Sequence, residues 1–347
     1  FARLYYLTSW RLWRFFALRI SRGRTRESFL GVFGPLSLLG LLAMWVSGLV
    51  YGFALLHWSL ATPMKLPDGM PNSFGIYLYW SGGTFFTLGP GDVTPATGFG
   101  RALDVVEAGM GFGFLALIIG YLPVIYQTFS QRERMIALLD ARAGSPPTAA
   151  QILQRIGQAG NMGAIDLFLS DWERWSADLL ESHLSFLVLG YYRSQHDNQS
   201  WLSSLTALLD TCAILMSLAK DHNPFQAQLT FAISRHAAVD LALVFKVQPI
   251  VPEADRLPSD QLQRLHAQLQ AAGFALREIA AAEAKLNELR AMYEPFVNAL
   301  SKRFLFALPP VIAGENSADN WQRSAWMKRA PELGQLSVIS TGDGHFV

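Results

Sequence analysis

The chain has 347 residues, 51% of them hydrophobic and 16% charged, with a formal net charge of +1. Ordinary soluble chains are about 25% charged. Such values exclude a disordered chain, a nucleic-acid binder dependent on a global positive field and, with Cys212 as the single cysteine, a secreted disulfide scaffold.

In chain order, the sequence opens on Phe1 rather than Met, so the native start is expected upstream. No secretory signal is expected, because the first apolar run, about 30 residues, is too long for one. Residues 4–20 interleave Leu4, Tyr5, Leu7, Trp10, Trp13, Phe16 and Leu18 with arginines. They predict an amphipathic helix in the membrane interface with arginines on lipid headgroups, or a simple continuation of the first span. From Ser28 to Met64 there is no Asp, Glu, Lys or Arg, nor is there any from Ala108 to Gln131. Each run can cross a hydrocarbon core about 30 Å thick at about 1.5 Å per helical residue. The first span is expected from Phe29 to Trp58, with Pro35 in its first turns, where proline is tolerated.

Residues 61–73 form a loop rich in Pro and Gly. Asn72 or Ser73 is expected to cap a helix from Phe74 to Phe86. That helix is too short to span and ends in Thr87-Leu88-Gly89-Pro90-Gly91-Asp92. A half-length helix and a Gly-Pro-Gly turn between two spans predict a re-entrant loop. Seven arginines in residues 1–28, and Arg132, Arg134 and Arg142 after the second run, place both flanks on the cytoplasmic side. Residues 132–310 show helical periodicity broken by turn signals. Helices are expected near 148–158, 163–193, 199–220, 224–247, 259–292 and 295–306, with no recurrent strand pattern. The polar tail from Ala313 offers Trp321 and Trp326 as docking anchors. The fold class expected is an all-α membrane protein, divided into 1–28, a pore domain 29–131 and a helical cytoplasmic domain 132–347.

The stretch Trp80-Ser81-Gly82-Gly83-Thr84-Phe85-Phe86-Thr87-Leu88-Gly89-Pro90-Gly91-Asp92, followed by Pro95 and Gly100-Arg101, resembles the pore loop of two-transmembrane potassium channels. The family core is Thr-Val/Leu-Gly-Tyr-Gly-Asp, and Gly111 stands at the position of the family's hinge glycine. The resemblance covers roughly residues 29–131. It implies a homotetramer, since one loop supplies one wall of a pore and about four chains are needed to close it.

It also implies a chemistry that these residue types serve. A dehydrated cation needs replacement oxygens, which an extended backbone supplies if its carbonyls point inward. Gly89 and Gly91 permit the positive φ angles this requires, and Thr87 adds a hydroxyl oxygen. The half-helix aims its partly negative C-terminal end at the cavity. Asp92 accepts a hydrogen bond from a group behind the filter, with Tyr79 and Trp80 the candidates, and Thr84 lies in the supporting helix. Glycine at position 83 replaces a glutamate that some members carry. Glu107, with Asp104, is expected either to brace the filter or to pair with Arg101 or Lys65. Phe112, Leu115, Ile119 and Pro123 match the cavity-lining face, or else face other helices and lipid.

Pro90 departs from the family's tyrosine. Proline lacks an N–H, fixes φ near about −65° and removes an aromatic brace. The carbonyls survive, so a cation pore with weakened or lost discrimination between potassium and sodium is expected.

The remaining chain carries no nucleotide-binding glycine motif, since Gly157, Gly160 and Gly163 have the wrong spacing. His183, His196, Asp197, His222 and His236 show no spacing that demands a metal, and Cys212 reads as a buried small residue. No nucleophile–base pair argues for an enzyme. The function expected is a tetrameric cation channel of the cell membrane (the inner membrane if bacterial), without a cofactor beyond the permeant potassium or other monovalent cation. Both termini are cytoplasmic, and bending of the second helix under a cytoplasmic domain, with an unidentified ligand as one stimulus, gates it. The alternative is a non-conducting membrane-anchored sensor or scaffold that keeps a degenerate pore fold.

Overall fold

The computed structural model describes residues 1–21, 23–194, 198–220 and 222–314. Trp321 and Trp326, and His196 and Asp197, lie outside the described residues. The fold is mostly helical and falls into two compact units, one through Thr128 and the other from Phe129.

In the first unit, helix α1 (Ala2–Ala17) and helix α2 (Arg24–Ser59) are separate. The N-terminal helix therefore does not continue into α2. It packs along α2 instead: Trp10 meets Phe33 at 4.9 Å, and Trp13 stacks on Phe29 at 4.5 Å and donates its indole N–H to the Phe29 carbonyl at 3.2 Å. Because α2 begins at Arg24, Pro35 lies well inside it rather than in its first turns. The proline leaves the Gly31 carbonyl without its helical partner.

The chain then forms a two-residue strand β1 (Met64–Lys65), helix α3 (Phe74–Phe85) and a second short strand β2 (Thr94–Pro95). β1 and β2 pair antiparallel, with Met64 opposite Pro95, and clip the loop before α3 to the segment after the Gly-Pro-Gly turn. Ser73 occupies the N-cap position of α3 but its side chain caps nothing. Asn72 donates to the Tyr77 hydroxyl at 3.4 Å instead. Helix α4 (Gly98–Ala143) completes the unit and contributes its last turns to the second.

The second unit is built around helix α7 (Trp201–Leu218). By length and hydropathy α7 could cross a membrane, as could α2 and α4, but 94% of its apolar window is buried inside the protein. Around it pack α5 (Ala149–Gln158), α8 (Phe225–Val244), α10 (Ile279–Ala291) and α11 (Glu294–Phe304). Helix α6 (Gly163–Ser185) packs on α8, and α9 (Ser259–Ala271) on α5. A helix so enclosed must satisfy its own polar groups. Thr206, Thr211 and Ser217 each donate to the carbonyl four residues back, and the Ser200 hydroxyl caps the start by accepting from the Ser203 N–H.

Two expected helices are shorter than the periodicity suggests. The 163–193 helix stops at Ser185 and gives way to a 3₁₀ turn over Leu187–Tyr191. The 259–292 helix is broken at Gly273, φ +94°, because the chain there pairs with the C-terminal end of α7: Lys220 N–H donates to Ala275 O and Arg277 N–H to Leu218 O. A repeating apolar pattern does not register such a demand.

His183 lies wholly buried at the end of α6. Its Nδ1–H donates to the Leu179 carbonyl at 2.7 Å, and its Nε2 accepts from Arg132 at 3.3 Å. Arg132 also donates to the carbonyls of Leu189 and Tyr192, so the pair ties the 3₁₀ turn in place. Burial, and then the guanidinium charge, push the imidazole down to about 3 from its usual 6.5. The unfolded chain therefore takes up this proton first. The neutral histidine contributes its full stability above about pH 6.5, and that contribution is lost as pH falls from there toward about 3. His183→Gln is expected to lower stability at pH 7 by about 1–3 kcal/mol and to flatten this acid dependence. Circular-dichroism melting of the purified chain in detergent between pH 7 and pH 4 reads both effects.

Candidate functional site

The site starts where α3 ends. Thr87 N–H donates to Thr84 O at 3.0 Å and Leu88 N–H to Gly83 O at 2.7 Å, the paired bonds of a left-handed helix stop. Thr87 carries the left-handed residue, φ +55°. A β-branched side chain rarely adopts this conformation, and one such residue costs on the order of 1–2 kcal/mol. Gly89 follows at φ +61°, whereas Gly91 does not adopt a positive φ. The two expected left-handed positions, Gly89 and Gly91, are thus Gly89 and Thr87 in the fold. Termination of α3 places the first of them, at a residue that is not glycine.

Leu88, Gly89, Gly91 and Asp92 are exposed in the single chain, and Pro90 is half-buried with its ring against Gly83. Val93 returns to the interior with Ile76 and Trp80, flanked by Met64 and Leu66. The loop is therefore held at both ends, by the helix stop before it and by Val93 and the β1–β2 clip after it.

Helix α3 is stitched to both long helices. Toward α4, Ser81 donates a hydrogen bond to the Glu107 carboxylate, and Thr84 donates to Asp104 at 2.8 Å. Toward α2, the Ser81 hydroxyl lies 2.9 Å from the Val50 carbonyl, and the Tyr77 hydroxyl donates to Thr62 O at 2.8 Å. Glu107 is fully buried and meets Ser81 rather than Arg101 or Lys65. Arg101 donates to the Pro95 carbonyl. Trp80 is buried edge-on against His57 at 4.7 Å, and Tyr79 is exposed. Among the described residues neither bonds Asp92, because the Trp80 ring is taken up by the packing on α2.

Gly111 sits against the end of α3. A Cβ there would lie 2.0 Å from the Phe85 carbonyl oxygen, so only a hydrogen fits at that position. Below it, Phe112, Leu115, Ile119 and Pro123 are all exposed in the single chain, on a helix that runs unbroken through Gly111.

Sequence reasoning missed His57, which accepts or donates at the Thr62 hydroxyl at 3.2 Å and backs Trp80. Its one signal is a lone imidazole in an otherwise uncharged run. The role of Gly83 as the seat of the Pro90 ring was also invisible, since it joins two positions through space.

Residues 40–127 match the family described as ion channel. A protein of Bacillus subtilis (strain 168), described as uncharacterized membrane protein YdjJ, is 24% identical over 232 residues, which cover 65% of this chain and 67% of that protein. No solved structure matches. The family match begins within α2, encloses α3 and the loop to Asp92, and ends within α4. This chain is a membrane protein whose residues 40–127 are similar to the ion-channel family, of the two-transmembrane, potassium-channel-like kind.

Proposed function

We propose that the chain is one subunit of a homotetrameric channel for potassium and other monovalent cations, with residues 87–92 as the filter. The observation that carries the reading is the exposed Thr87–Asp92 loop, delivered by the C-terminus of a half-length helix and anchored on both long helices. One such loop forms one wall, and four around an axis form a pore. The α3 end contributes negative potential, and backbone carbonyls replace the water that the ion loses. The exposed Phe112, Leu115 and Ile119 face suits an apolar cavity that gates by dewetting. Both termini lie on the cytoplasmic side of the cell membrane in this reading, and the helical unit governs opening.

Selectivity follows from Pro90. Without an aromatic side chain at that position the filter's width is less firmly held, so sodium is expected to pass within about tenfold of potassium. Bi-ionic reversal potentials of the purified chain in planar bilayers measure this. A potassium preference of about a hundredfold or more overturns the selectivity reading. No current under any ionic condition, with tetramers intact, overturns the channel reading in favour of a non-conducting sensor or scaffold.

A further inference from the structure

We infer that Gly83 and Pro90 are a matched pair: the proline ring seats in the space left by the missing side chain of Gly83, and this contact sets the position of the filter loop and hence its ion discrimination. The inference rests on the channel reading and names the residue that tunes it.

A Cβ on Gly83 would lie 2.6 Å from Pro90 Cγ and 2.7 Å from Cδ. Both are atoms of a closed ring, which cannot rotate out of the way as a flexible side chain does. Any other residue at 83 must therefore push the ring, and the backbone fused to it, off α3. The same glycine offers its carbonyl to Leu88 N–H at 2.7 Å. The segment from Leu88 to Pro90 thus starts and finishes on one residue of the helix, with the Leu88 and Gly89 carbonyls in the arc between.

The chemistry of the two positions also agrees. Pro90 has no N–H, so a polar side chain at 83 would find no backbone donor there. Glycine at 83 and proline at 90 are two halves of one change: a ring wedged into a notch within the same chain holds the loop where an aromatic side chain is absent. A displacement of a few tenths of an ångström at this wedge moves the very carbonyls proposed to coordinate the ion.

A double-mutant cycle on the full chain tests the pairing, using Gly83→Ala, Pro90→Ala and both together. Two readouts are taken: bi-ionic potassium/sodium reversal potentials in bilayers, and melting in detergent. Gly83→Ala alone is expected to change the permeability ratio at least about fivefold, while the same change made on Pro90→Ala shifts it less than about twofold. Melting is expected to show the same non-additivity. If Gly83→Ala prevents assembly, recovery of tetramers by the added Pro90→Ala supports the pairing, and failure to recover them overturns it. Equal effects of Gly83→Ala in both backgrounds overturn the inference. A wild-type chain that never conducts overturns the channel reading and the permeation half of the inference together, and the melting cycle then decides the contact separately.

Discussion

Gly111→Ala is expected to destabilise the first unit by about 3 kcal/mol and to abolish cation current, although alanine is the better helix former. The two effects have opposite signs, which makes the result informative. At an exposed helical position, exchanging glycine for alanine gains about 1 kcal/mol from propensity alone. At Gly111 the new methyl lies 2.0 Å from the Phe85 carbonyl oxygen, a backbone atom that no rotamer can move. The end of α3 must retreat from α4, carrying Thr87 and Leu88 with it and straining the bonds from Ser81 to Glu107 and Thr84 to Asp104. Gly113, with nothing within 4 Å of its Cβ position, is the internal control. Gly113→Ala is expected to be neutral or slightly stabilising. Detergent melting and bilayer recording of both variants read the outcome. If Gly111→Ala melts no lower than wild type while only its open probability changes, Gly111 acts as a bending point and its packing against Phe85 is unimportant.

The contrast between those two glycines shows where sequence reading succeeds and where it stops. Both sit in one apolar run, and a family resemblance singles out Gly111 without giving its physical reason. The two long apolar helices, α2 and α4, were legible because charge is absent from Ser28 to Met64 and from Ala108 to Gln131, an unmistakable one-dimensional signal. The half-length helix and its turn were legible because Gly89, Pro90 and Gly91 punctuate the chain between those runs. What is decided through space was not legible. Thr87 takes a left-handed conformation because α3 terminates there, Trp80 turns to His57 rather than to Asp92, and Glu107 chooses Ser81 over Arg101 and Lys65. Neither His57 nor Ser81 stood out in the sequence as a partner, and only the packing of α3 against α2 and α4 brings them into place.

In the second unit, the break at Gly273 was missed for a related reason. Periodicity reports which face of a helix is apolar, but the end of α7 calls for backbone donors and acceptors, and residues 275–277 supply them by leaving the helix. The separation of α1 from α2 has a different origin. Trp10 and Trp13 pack along Phe33 and Phe29, which requires the two helices to lie side by side rather than end to end. The arginines that suggested an interfacial helix are the same whether that helix lies flat or folds back.

Asp210→Ala is expected to be the most damaging single substitution in the helical unit, costing about 3–5 kcal/mol. Asp210 lies on the enclosed helix α7 with its side chain 2% exposed. It accepts a two-pronged pair of bonds from Arg256, at 3.1 and 2.6 Å, and a third from the Tyr293 hydroxyl. Arg256 also reaches Glu294 and the Pro309 carbonyl, and Glu294 in turn receives Arg290, which bonds Asp255. Through this one carboxylate the core helix holds the 251–258 loop, the start of α11 and the segment after α11 that carries Pro309. Truncation leaves the guanidinium buried with one acid fewer and the Tyr293 hydroxyl without an acceptor, so the desolvation already incurred is no longer offset. For a unit of this size a loss of 3–5 kcal/mol lowers the melting temperature by roughly 10 °C. Replacing both partners with apolar residues of similar volume, Asp210→Leu with Arg256→Met, removes the unpaired charge and is expected to recover much of the loss. A single-variant shift below about 2 °C, or a double variant no better than the single, would show that the network sits in the core without supporting it.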